Sequence, residues 1–166
     1  MRLTKKNTII IILVTAILAV NISSVVLIFC YSSNKSDSKK ETVFPDPDII
    51  TVYNGDAVVE ITAKYDYDYI VTDINKRINY LEYFDEIESL EVNTETYIEY
   101  KYSELKNVTF NLSIERRTVK VSSIRFILTG NDHGRIVIVT DSGEVILEKL
   151  SPNGELIKRV KNLTTE

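Results

Sequence analysis

The chain has no tryptophan, one cysteine, one histidine, three prolines and five glycines in 166 residues. One cysteine excludes a disulfide scaffold, and one cysteine with one histidine excludes a zinc site built from thiolates and imidazoles. The few glycines each stand at a turn signal, so no glycine-rich cradle for phosphates is present. The length leaves no room for an enzyme with separate cofactor and substrate domains. No cofactor and no metal ion is expected.

The same scarcity limits catalysis. His133 sits between Asp132 and Gly134 in a turn signal, which suits a loop residue better than the base of a nucleophilic triad. Cys30 borders a long apolar run and is a poor thiol nucleophile there. Asp66-x-Asp68 resembles the opening of a calcium loop but has Ile70 at the third ligand position, no central glycine, and Arg77 where the bidentate glutamate belongs. Acidic residues are plentiful at 24, so a hydrolase using two carboxylates stays open as an alternative, without a spacing that points to it.

What the chain does have begins at its N-terminus. Thr8 to Cys30 is uncharged over 23 residues, and as a helix it would be roughly 34 Å long against a hydrocarbon core of ~30 Å. We read 8–30 as an uncleaved transmembrane helix. A cleaved signal peptide has a shorter apolar region and a small-x-small site, for which only Cys30-Tyr31-Ser32 is offered. Lipid attachment at Cys30 is the other alternative, and Phe29 before it is bulky for that processing. Arg2, Lys5 and Lys6 precede the run closely, whereas Lys35, Lys39 and Lys40 follow at a distance. The expected topology is a cytoplasmic tail at 1–7 and an extracytoplasmic remainder. All 24 acidic and all but three of the 20 basic residues follow residue 30, a formal charge of −7 that argues against nucleic acid as a partner. Within the run, Thr15, Ala19 and Ser23 recur every four residues and Asn21 lies near its middle, a face suited to pairing with another membrane helix and to a helix-mediated oligomer.

Residues 31–48 lack apolar periodicity and end in Pro45-Asp46-Pro47-Asp48, the composition of a flexible linker. The remaining segment, 49–166, is expected to be one α+β domain: a single amphipathic helix packed on an antiparallel meander sheet. A strand over Ile49 to Tyr53 leads through Asn54-Gly55 into a longer one, where Val59, Ile61, Ala63, Tyr65, Tyr67, Tyr69 and Val71 alternate with polar residues. Ile74, Ile78, Leu81, Phe84, Ile87 and Leu90 then follow helical spacing, with Thr72 or Asp73 as cap. About six strands follow. The first two are Val92 to Tyr102 and Val108 to Ile114, separated by a loop at Ser103 to Lys106. Thr118 to Thr129 changes phase between Val121 and Ile124, a bulge signal. Asn131 to Gly134 turns into Arg135 to Thr140, apolar on both faces and therefore central. Asp141-Ser142-Gly143 and Ser151-Pro152-Asn153-Gly154 are read as hairpins separating Glu144 to Leu150 from Glu155 to Val160. Similar orders of elements occur in cystatin-like and NTF2-like domains, a likeness of layout with no shared motif.

Tyrosine is the one excess, ten in all. Tyr65, Tyr67 and Tyr69 on one predicted strand and Tyr100 and Tyr102 on another form a candidate interaction surface for a protein or glycan. The competing reading places them beneath the helix, and Val59, Ile61 and Ile98 on the same faces favour it. Asp85, Glu86, Glu88 and Glu91 read as a solvated acidic flank, Arg116-Arg117 and Lys158 to Lys161 as short basic patches. Asn107, Asn111 and Asn162 head glycan-acceptor triplets. The expectation is a membrane-tethered, non-catalytic module that binds a protein partner. The alternatives are the small hydrolase and a cleaved or lipid-anchored binding protein.

Overall fold

The computed structural model describes residues 44–91, 95–151 and 153–165. The segment 8–30, with Thr15, Ala19, Asn21 and Ser23, lies outside the described residues, among which no helix is long and apolar enough to cross a membrane.

Strands β1 (Ile49–Asn54), β2 (Ala57–Glu60), β3 (Asp85–Ile87), β4 (Thr96–Asn111), β5 (Arg116–Ile127), β6 (Arg135–Thr140) and β7 (Gly143–Glu148) form one antiparallel sheet in the order β2-β1-β4-β5-β6-β7-β3. Helices α1 (Lys64–Ile78) and α2 (Gly154–Leu163) complete the α+β domain. The meander holds for β4 to β7; β3 crosses to the far edge beside β7.

Two helices stand where the pattern predicts one, and both departures have a local cause. The expected strand ends at Glu60, and Tyr65 to Val71 are helical. The tyrosine alternation there is compatible with either period, but Ile70, Val71, Ile74 and Ile78 make the i, i+4 stripe that the sheet needs for cover. Thr72 and Asp73 therefore lie inside α1, where Asp73 pairs with Arg77 at 2.7 Å instead of capping. The helix also stops at Ile78, before Leu81, because Phe84 turns into the core and β3 pairs with β7. At the C-terminal end, Asn153 accepts a hydrogen bond from Glu155 N at 2.8 Å, so Asn-Gly caps α2 rather than turning a hairpin. Leu156 and Val160, four apart, are buried, and the strand expected over Glu155 to Val160 is α2.

The loop expected at Ser103 to Lys106 is a bulge inside one continuous strand. Between the pairs Lys101↔Ser123 and Lys106↔Val121, β4 takes five residue steps against two on β5. The bulge expected in β5 is present, between Val121↔Thr140 and Ser123↔Val139. Irregularities of this kind bend a ribbon. The tip of the β4–β5 ribbon reaches the far edge of the sheet, where Phe84 N donates to Asn111 O at 2.8 Å and Arg117 pairs with Glu86 at 2.8 Å. β6 is central as expected, with Ile136, Val137 and Ile138 all fully buried.

The inner face of the sheet carries the core: Ile50, Val52, Ile98, Tyr100, Val108, Phe110, Ile124, Phe126, Ile136 and Ile138, closed over by α1 and α2. Phe44 belongs to it. This residue, placed by the sequence in the linker, is fully buried, with its ring 5.8 Å from Phe126 and 6.2 Å from Phe84. The following residues are fastened in turn: Tyr102 Oη donates to Pro45 O at 2.9 Å, Tyr67 Oη to Pro47 O at 2.5 Å, and Ser103 N and Oγ each to Asp48 at 2.7 Å. Residues 44–48 are thus a strap of the domain and not a free spacer.

Candidate functional site

The five tyrosines singled out by the sequence part company. Tyr100 is fully buried and Tyr102 nearly so, both on the inner face of β4 beneath the helices. Burial raises both phenols well above their ordinary value, with neighbouring tyrosines and Asp46 adding to it. Tyr65, Tyr67 and Tyr69 lie on α1, so they share no strand face with each other or with β4. Tyr67 holds the strap. Tyr65 and Tyr69, four apart, sandwich the Arg159 guanidinium of α2 at 4.6 and 4.7 Å from their ring centres, while Arg159 Nε donates to Asp66 Oδ1 at 2.8 Å. The guanidinium locks α2 to α1. Beside it, Tyr69, Glu155, Lys158, Arg159 and Asn162 line an open groove of about 310 Å³.

Tyr65 is 72% exposed; a second aromatic pair, half-buried, lies on the outer face of the sheet. Registers across all seven strands bring Glu60, Thr51, Glu99, Arg125, Val137, Ile146 and Ile87 into one row. Its β5–β7 half is covered: Ile127, Val137 and Ile146 are buried. Residues after β3 are tied down nearby: Arg135 donates to Ser89 O at 3.3 Å and Glu91 N to the buried Asp132 at 3.2 Å.

The β1–β4 half is half-buried and polar. Tyr53 and Tyr97, cross-strand partners, stack with ring centres 4.2 Å apart and planes within 8°. Tyr53 Oη donates to Glu99 Oε2 at 2.9 Å, Arg125 Nε to Glu99 Oε1 at 3.3 Å, and Lys101 Nζ lies 3.4 Å from Glu99 Oε2. Arg125 also reaches Glu144 at 3.4 Å. Burial acts to raise the Glu99 carboxyl, but the hydrogen bonds from Tyr53 and Arg125 and the charge of Lys101 outweigh it and leave it below the usual range.

This arrangement presents a rigid aromatic pair with an ionised, fully engaged carboxylate at its base. The aromatic pair is bordered by the polar groups of Glu99, Lys101 and Arg125. A glycosidase-type general acid needs a carboxyl held protonated. Among the described residues, the two carboxyls whose affinity for protons departs clearly from the ordinary, Asp48 and Glu99, are both shifted the other way.

No family model, curated protein or solved structure matches this chain.

The remaining sequence candidates fall into structural roles. His133 is exposed in the turn before β6, with Nδ1 3.0 Å from Gly130 O. Asp66 and Asp68 hold Arg159 and Lys64, and among the described residues no cluster of three or more potential metal ligands occurs. Asn107, Asn111 and Asn162 are all exposed. The Tyr53–Tyr97 pair was within reach of the sequence, since both residues lie one step out of phase with the apolar positions Val52 and Ile98 that pair in the core.

Proposed function

We propose that this chain is a single-pass membrane-anchored protein whose extracytoplasmic α+β domain binds a protein partner through the outer face of its sheet and catalyses no reaction. The uncharged run of 23 residues supports the anchor, and the acidic remainder with no cysteine after Cys30 suits an extracytoplasmic setting. The small residues Thr15, Ala19 and Ser23 with Asn21 give the anchor a face for a second span. The observation that carries the binding reading is the half-buried Tyr53–Tyr97 stack on the outer face, held by Glu99, Arg125 and Lys101. Aromatic side chains with few rotors, pre-ordered by hydrogen bonds and ion pairs around them, lose little entropy on docking.

The test is photo-crosslinking in intact membranes from a benzophenone residue placed at Tyr97, with Thr118 on the distal ribbon as control. A discrete adduct to one protein from Tyr97 and not from Thr118 is expected. Adduct-free recovery from both positions, with hydrolysis of cell-wall or glycan substrate by the purified full chain, would replace this reading by that of a hydrolase.

A further inference from the structure

We propose that one end of the domain, built from the α1–β3 connection and the tip of the β4–β5 ribbon, rests on the lipid surface itself; this deepens the membrane-anchored reading and depends on it. The first argument is where the chain enters. Thirteen residues, 31–43, separate Cys30 from Phe44, a reach of at most about 45 Å. Phe44 packs against Phe84, whose backbone bridges the ribbon tip at Leu112. The described domain therefore begins beside this end.

The second argument is what is displayed around that entry. Tyr80 is 76% exposed, Tyr83 42% and Ile114 92%, all within four positions of Phe84 or Leu112. They are three of the seven large apolar side chains exposed among the described residues. Tyrosine at the headgroup level with an aliphatic side chain beyond it is the residue pattern of membrane interfaces.

Part of the negative charge here is compensated internally: Asp85 pairs with Lys149 at 2.8 Å, and the single Arg117 guanidinium serves both Glu86 at 2.8 Å and Glu115 at 2.6 Å, while Glu82, between the two tyrosines, is exposed. Lys149 Nζ also lies 4.1 Å over the Tyr83 ring, and the residue holds this place with a φ of +115°, a conformation that side chains other than glycine rarely accept.

The absence of native tryptophan makes the test direct. The full chain carrying Ile114→Trp is reconstituted into vesicles of phosphatidylcholine and phosphatidylglycerol, with nitroxide spin labels at the headgroup. Val58→Trp serves as control: Val58 is 58% exposed on the opposite edge strand, six strand spacings or about 29 Å along the sheet from β3. Quenching of the Trp at 114 several-fold above that at 58, with blue-shifted emission, is expected. Equal, weak quenching at both positions in protein that stays with the vesicles after an alkaline wash would overturn the lipid contact and leave the anchor standing. Loss of the protein from the vesicles in that wash would overturn both.

Discussion

Tyr97 and Tyr100 lie three residues apart on β4 and face opposite sides of the sheet. Tyr100 is sealed among Ile, Val and Phe side chains, 4.8 Å from the Phe126 ring, and its hydroxyl has no hydrogen-bond partner. Tyr97 is half-exposed, stacked on Tyr53 above a saturated carboxylate. The inner face is buried beneath two helices and the Phe44 strap. The outer face is held by directional polar contacts around one carboxylate, which keep an aromatic surface rigid while leaving it accessible. Stability resides mainly on the first face, and the second is the one we propose for recognition.

The contrast can be tested from its strongest side down. Phe44→Ala is expected to cost about 3–5 kcal/mol in denaturant unfolding, the range for a buried aromatic; a loss below about 0.5 kcal/mol, ordinary for an exposed position, would return Phe44 to the linker. Glu99→Gln should cost about 1–2 kcal/mol at neutral pH by weakening charge-assisted hydrogen bonds to partly exposed partners. Because the folded state holds this carboxyl below its ordinary value, its contribution is present above that value and is lost as pH falls through the lower folded one. The gap between wild type and Glu99→Gln, measured by urea midpoints, should therefore close in acid.

Tyr97→Ala should reduce stability by only about 0.5–1.5 kcal/mol, the worth of an aromatic pair, while weakening partner capture far more. Equal losses in both would show the stack to be structural. The smallest effect at pH 7 is expected for Tyr100→Phe, within about 0.5 kcal/mol and of either sign, because the lost hydroxyl has no partner to leave behind. Its consequence appears in alkali. Burial raises the folded-state pKa of Tyr100, so stability is fully present below the ordinary tyrosine value of about 10 and declines as the unfolded chain ionises above it. Tyr100→Phe should lessen that decline, and Tyr97→Phe should lessen it less.

Legibility followed the same division. From Thr118 to Glu148 the strand pattern, the bulge after Val121, the Asn131 to Gly134 turn and the two-sided burial of β6 were all readable, because neighbouring strands and short turns decide them. Gly134 shows how tight that region is: its φ is +85°, and a Cβ there would lie 2.5 Å from Leu150 O. The α1 region was not readable in the same way. Tyr65, Tyr67 and Tyr69 alternate with polar residues as a strand does, and only the demand of the inner face for a covering stripe selects the helix through Ile70 and Ile74. The tip of the β4–β5 ribbon meeting Phe84 depends on two bulges acting together, and no window of sequence contains both partners.

From the letters alone came the chemistries that one histidine and one cysteine forbid, the uncharged N-terminal run, the acidic remainder and an α+β domain rich in antiparallel strands. Which tyrosines face solvent, that Phe44 is core, and that Asn153 starts a helix were decided by the assembled sheet and its cover. The reason is one of scale: local preferences are worth tenths of a kcal/mol to about one per residue, whereas burying a single aromatic against the right neighbours is worth about 3 kcal/mol, and neighbours distant in sequence are set only by the fold.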